Sequence, residues 1–110
     1  MIYELRQYTA NSGKMSALQA RFRDHTMKLF EKHGMTNVGY WTNVIGGFND
    51  EFIYMLAYPD LAAREKSWAA FSTDPEWIKT RAESETSDGI PLNQHFTNRI
   101  LTPTDFSPLK

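Results

Sequence analysis

Between Ser12 and Gly34, apolar or weakly polar residues return every three or four positions, at Met15, Leu18, Phe22, His25, Thr26, Leu29 and His33. That spacing lines one side of an α-helix, and Arg23, Asp24, Lys28 and Glu31 fill the other. The end signals agree with the period. The Ser12 hydroxyl can accept a bond from a first-turn amide, and Gly34 can take the left-handed conformation that closes a helix. The helix so predicted has a face that must be buried, with His25 in its middle.

On either side of this stretch the period changes to two. From Ile2 to Thr9, Tyr3, Leu5 and Gln7 alternate with Ile2, Glu4, Arg6 and Tyr8; large groups on both sides predict an inner strand. Thr36 to Ile45 is rich in β-branched and aromatic residues and predicts a second strand, with Val38, Tyr40 and Thr42 opposite Gly39, Trp41 and Asn43. The turn-forming run Gly46 to Asp50 joins it to a third strand, Phe52 to Tyr58, as a hairpin. Pro59 ends that strand. Asp60 is placed to cap a helix reaching about Ser72, with Leu61, Trp68 and Phe71 turned inward. Thr73-Asp74-Pro75-Glu76 has the capping-box pattern and restarts a helix carrying Trp77, Ile78 and Ala82, which fades in the polar run Glu83 to Gly89. A last strand is expected over Asn93 to Leu101. The two prolines of Thr102 to Lys110 predict an irregular tail, anchored by Phe106 and Leu109.

The order strand, helix, strand, strand, helix, strand is the ferredoxin-like βαββαβ arrangement, an α+β fold whose four-stranded antiparallel sheet carries both helices on one face. A single domain, residues 1–110, accounts for the whole pattern. The other sheet face is then bare. In the third strand both alternating sets are apolar, Phe52, Tyr54, Leu56 and Tyr58 against Ile53, Met55 and Ala57, and two helices cover one of them. Burying such side chains contributes on the order of 1.5–3 kcal/mol each, so the uncovered set calls for a partner. The simplest partner is a second copy, sheet against sheet, and a homodimer is expected.

Composition narrows the function classes. With 110 residues, 41% hydrophobic and 14% aromatic, the chain is not a disordered one. A net charge of -1 with 12 scattered basic residues gives no footprint for nucleic acid. Cysteine is absent, which removes disulfides, thiolate metal sites and cysteine nucleophiles. The opening residues lack the character of a signal or transit peptide, and no run approaches the roughly 18 apolar residues of a membrane span. A cytoplasmic protein is the expectation.

Several segments together resemble the NIPSNAP family: Ile-Tyr-Glu-Leu-Arg-x-Tyr at Ile2 to Tyr8, Gly13-Lys14, Val-Gly-Tyr-Trp at Val38 to Trp41, Ala-Tyr-x-Asp-Leu-x-x-Arg-Glu at Ala57 to Glu65, Asp-Pro-Glu-Trp at Asp74 to Trp77, Asn-Arg-Ile-Leu from Asn98 and Phe-Ser-Pro-Leu ending at Leu109. The resemblance covers nearly the whole chain. It implies the dimeric α/β-barrel fold, in which two ferredoxin-like sheets face one another, and a cleft between sheet and helices.

His25 is the sharpest catalytic candidate, because imidazole near neutral pH acts as acid, base or ligand; the plainer account is a satisfied core-edge histidine. A metal site shared with His33 fails on distance, since eight helical residues separate them by about 12 Å. His95 belongs to a distant strand, so no metal motif arises. No cofactor is expected; a single axial histidine could hold haem, as in some relatives of the barrel superfamily. Glu4 and Arg6 share a strand face, where charges are expected when paired or when serving a ligand. Arg6 suits a carboxylate or enolate oxygen, and a mutual or cross-dimer ion pair is the plainer account. Tyr40, Trp41, Tyr54 and Trp68 could line an aromatic pocket, or could simply be core. Arg64 and Glu65 are expected in solvent.

Three functions follow. The first is binding of a small apolar or aromatic molecule in the helix–sheet cleft. The second is a cofactor-independent oxygenase or isomerase, with His25 as base and Arg6 stabilising the oxyanion. The third is a non-catalytic interaction module. Convergence of His25, Glu4 and Arg6 on one pocket favours catalysis, and their dispersal favours binding or interaction.

Overall fold

The alternation of apolar and polar positions builds a sheet of order β2-β3-β1-β4, antiparallel throughout, from β1 (Ile2–Ala10), β2 (Thr36–Thr42), β3 (Glu51–Tyr58) and β4 (Asn93–Leu101). This architecture comes from a computed structural model that describes residues 1–85 and 88–110. β1 and β3 are the inner strands, as the large residues on both their faces required. One face of the sheet is covered by α1 (Met15–Arg21), a π-helical turn (Phe22–Thr26), α2 (Met27–Lys32), α3 (Leu61–Ser72) and α4 (Pro75–Ser84). The fold is the expected α+β, ferredoxin-like one.

The core lies between that face and the helices. Leu18, Phe22, Leu29 and Phe30 from the first helical run meet Phe52, Tyr54, Leu56 and Tyr58 from β3, with Phe71, Met35 and Leu92 closing the edges. Phe22 is its hub: its ring contacts those of Phe52 and Tyr54, both 5.0 Å away between centroids, and also Tyr8, Phe30 and Tyr40.

The first helix departs from the expected pattern in its middle. The Met27 amide bonds to Phe22 O, one residue further back than in an α-helix, so the turn holds an extra residue. Thr26 thereby takes the inward position, its hydroxyl donating to Arg21 O, and His25 is turned out to solvent. The expectation that His25 occupies the buried face is thus corrected. Phe30 joins the core, while His33 is half-buried and bonds to Asp74.

Several element ends and anchors also differ from the sequence pattern. The first helix starts at Lys14 without a side-chain cap, instead of at Ser12. Asp60 caps α3 as expected, its carboxylate accepting from the Ala63 amide at 2.8 Å. For α4 the cap is Asp74, whose carboxylate takes the Glu76 amide, while Thr73 bonds back into α3. β2 ends at Thr42, and Val44 and Ile45 stand in solvent. Leu61, Ile78 and Ala82 are exposed, and α4 buries Thr80 instead. Phe106 is exposed too; the tail is tied down by Tyr3, whose hydroxyl donates to Lys110 O. Part of the polar run after Glu83, residues 86–87, lies outside the described residues.

Candidate functional site

Glu4 and Arg6 stand two residues apart on β1 and therefore on one face, the face beneath the helices. Both are buried, and each is held by the other: Arg6 Nη1 donates to Glu4 Oε2 at 2.9 Å. Glu4 is the acceptor for much more. Its Oε1 receives Tyr58 Oη (2.7 Å), Arg64 Nε (3.0 Å) and Trp68 Nε1 (3.3 Å). Its Oε2 also receives Arg64 Nη2 and Asn98 Nδ2, both at 2.9 Å. Burial pushes the Glu4 carboxyl up, but the bonds from Arg64, Asn98 and Tyr58 and the Arg6 charge outweigh it and hold it at about 2, below its usual 4.5.

The chain of bonds continues along the face. Arg6 Nε donates to Tyr54 Oη at 2.7 Å, Arg6 Nη2 to Tyr8 Oη at 3.3 Å, and Tyr54 Oη to Tyr8 Oη at 3.0 Å. Tyr8 accepts twice, so its own O–H is directed elsewhere. The Arg6 guanidinium lies over the rings of Trp68 and Phe96, 4.5 Å from each centroid. Burial raises the Tyr54 and Tyr58 hydroxyls well above the ordinary tyrosine value, so both are neutral donors.

Beside Tyr8 a cleft of about 220 Å³ opens between sheet and helices. Its walls carry the rings of Tyr8, Phe22, Phe30, Trp68, Phe71, Trp77 and Phe96, interrupted by Arg21, Thr26, Ser72, Arg81 and Asn93. Apolar walls with a few polar groups are the usual make-up of a small-molecule site.

The expected site residues separate. Glu4, Arg6, Tyr54 and Trp68 come together in the network, and Trp68 also lines the cleft. Tyr40 packs on Phe22, Phe52 and Tyr54 beside a second, shallower groove near the β2 edge. Trp41 borders that groove, yet its ring lies over Gly39 on the opposite sheet face: a Cβ at Gly39 would stand 2.6 Å from it. His25 lines an outward groove with Asp24, Thr80 and Glu83. That open, polar setting does not fit an axial haem ligand, which needs apolar walls along the porphyrin. No group of three metal-ligating side chains occurs among the described residues.

Sequence reasoning placed Arg64 in solvent and passed over Tyr58, Asn98, Tyr8 and Arg21 as site residues. Arg64 is corrected from solvent to a bidentate partner of Glu4, its long stem letting the charged end reach the buried carboxylate. Tyr8 and Tyr58 were legible by alternation, since they continue the face of Glu4 and Tyr54. Asn98 follows from register, because it stands opposite Arg6.

The chain has known structural relatives. A NIPSNAP family protein of unknown function from Agrobacterium tumefaciens is 28% identical, with a TM-score of 0.84 over 100% of this chain and 94% of that one. A second protein of that family from the same organism is 29% identical, with a TM-score of 0.84 over 99% and 98% of the two chains. SnoaB, a cofactor-independent oxygenase from Streptomyces nogalater, is 11% identical with a TM-score of 0.60 over 97% and 96%, a likeness of fold alone. None of the curated proteins is significantly similar in sequence. The NIPSNAP family model matches residues 3–108, and the chain belongs to the NIPSNAP family.

Proposed function

We propose that this NIPSNAP protein binds a small, flat aromatic molecule in the cleft between sheet and helices, and does so as a homodimer. The observation that carries the reading is the ring-lined cleft beside Tyr8, whose hydroxyl accepts from Arg6 and Tyr54 and so has its own hydrogen to offer a ligand. Glu4 fixes Arg6, Arg6 fixes the two tyrosines, and the donor at the cleft is preorganised.

The oxygenase or isomerase reading needs a base beside the bound molecule. His25, turned outward by the π-helical turn, does not serve this cleft. His25 stands apart from the Glu4–Arg6 pair, and that separation favours binding. The homodimer rests on the other sheet face, where Leu5, Ile53 and Met55 are half-buried and Trp41 is 49% exposed in one chain.

A thermal-shift titration with 2-naphthol tests the reading. A ligand of the cleft at 100 times its dissociation constant stabilises the fold by about 2.7 kcal/mol. Ser72→Phe, at an exposed position on the cleft wall, is expected to abolish the shift while leaving the melt of the free protein unchanged. No shift with 2-naphthol, or the same shift in Ser72→Phe, counts against the cleft. Sedimentation at micromolar concentration is expected to give one species of two chains; a stable, folded monomer counts against the dimer.

A further inference from the structure

Arg21, the last residue of α1, is 5% exposed although it is charged. Its guanidinium lies 5.2 Å from the centroid of the Trp77 ring, on the wall of the aromatic cleft. Nη1 donates to Ser84 Oγ and Glu85 Oε1, each at 3.2 Å. The buried Nε has no hydrogen-bond partner among the described residues. A buried donor in that state is costly, so an acceptor that reached it would be held firmly.

The charges near Arg21 are divided between two sides of the helical wall. Glu85 faces two guanidinium groups, Arg21 at 3.2 Å and Arg81 at 3.8 Å, and both arginines line the cleft. The other carboxylates near Arg21, Asp24 and Glu83, line the outward groove, and the lining of the aromatic cleft carries both guanidinium groups and no carboxylate among the described residues. The side edge of a guanidinium, Nε with its neighbouring Nη, matches the two oxygens of a carboxylate.

We propose that Arg21 is an anion seat and that the ligand class is an aromatic carboxylate, its ring among Tyr8, Trp68, Trp77 and Phe96 and its carboxylate side-on to Arg21 Nε. The inference rests on the aromatic-cleft reading above and adds to it the charge of the ligand. A single negative charge suits a cleft whose lining carries two guanidinium groups and no carboxylate among the described residues. The cleft of about 220 Å³ is smaller than the roughly 300–1,000 Å³ of drug-sized sites, which restricts the ligand to one or two rings.

The test compares 2-naphthoate with 2-naphthamide, two molecules of nearly the same shape that differ in charge, by quenching of tryptophan fluorescence. Naphthoate is expected to bind at least about tenfold more tightly, because the amide loses the charge and presents N–H donors to a guanidinium. Arg21→Gln is expected to erase that preference while leaving naphthamide binding nearly unchanged. Glu85→Gln is expected to act the other way, tightening naphthoate several-fold by removing its internal competitor. Naphthamide binding the parent protein as tightly as naphthoate overturns the anion seat and leaves the aromatic cleft standing. Binding of neither compound overturns both. A preference that survives in Arg21→Gln overturns the assignment to Arg21. Should Arg21→Gln fail to fold, Glu85→Gln decides: naphthoate bound no more tightly than by the parent protein overturns the proposal.

Discussion

Replacing Glu4 by Gln changes little in volume and much in electrostatics. The carboxylate accepts from Arg6, Arg64, Tyr58, Trp68 and Asn98. An amide turns one of the two acceptor oxygens into a donor that faces other donors, and it leaves the buried Arg6 without its counter-charge. Removing one partner of a buried ion pair costs about 3–5 kcal/mol, a large part of the roughly 5–15 kcal/mol that holds a domain folded. Urea unfolding of the parent protein and of Glu4→Gln at pH 7, followed by circular dichroism, reads the difference directly.

The pH dependence supplies the second half of this test. The folded-state value of Glu4 is depressed, about 2 against 4.5, so the carboxylate contributes stability above pH 4.5 that is lost as pH falls through 2. At 1.36 kcal/mol per unit the full contribution is at most about 3 kcal/mol, and about 2 kcal/mol of it is gone by pH 3. The other carboxylates titrate equally in both proteins and cancel. The gap between parent and variant is therefore expected to narrow by about 2 kcal/mol between pH 7 and pH 3. A gap below about 1 kcal/mol at pH 7, or one of equal size at both pH values, refutes the reasoning.

Three further substitutions probe the fold around the cleft. Phe22→Ala removes the ring at the centre of the core and is expected to cost about 3–5 kcal/mol in denaturant melts; a loss below about 1 kcal/mol means that the packed face has been misassigned. His25→Gln, on the outward side of the π-helical turn, is expected to move the melt by less than about 0.5 kcal/mol and to leave 2-naphthol binding unchanged. Weakened binding in that variant returns His25 to the site. Gly34→Ala places a side chain at φ +81°, and is expected to destabilise by about 1 kcal/mol through the backbone, since the nearest atom to the new Cβ is 3.7 Å away. An unchanged melt contradicts a left-handed helix stop.

The fold was legible because its strands and α-helices carried local signals. Two-sided alternation marked β1 as inner, glycines marked the hairpin, and Asp60 marked the start of α3. The pairing of Glu4 with Arg6 could also be read, because residues two apart on a strand share a face. The site could not be read in full, for two physical reasons. The π-helical turn adds one residue over Phe22–Thr26, and nothing in Phe-Arg-Asp-His-Thr announces it; a strict helical period then points His25 inward when it faces solvent. The other reason is reach. Arg64 comes to Glu4 from 60 residues along the chain and Arg21 meets Glu85 from 64, and periodicity fixes where a stem starts without fixing where its charged end arrives. Capping choices were ambiguous by one position, as with Thr73 and Asp74, because two suitable side chains stood side by side.

The three tryptophans allow the aromatic-cleft reading to be tested within one sample. Trp68 and Trp77 line the cleft, whereas the ring of Trp41 lies over Gly39 on the other face of the sheet. In a titration of ¹⁵N-labelled protein with 2-naphthol, the indole N–H resonances of Trp68 and Trp77 are expected to shift together along one saturable curve, with Trp41 unmoved. Resonances of Trp68 and Trp77 that stay in place at saturating 2-naphthol, or a shift confined to Trp41, contradict a binding site between the helices and the sheet.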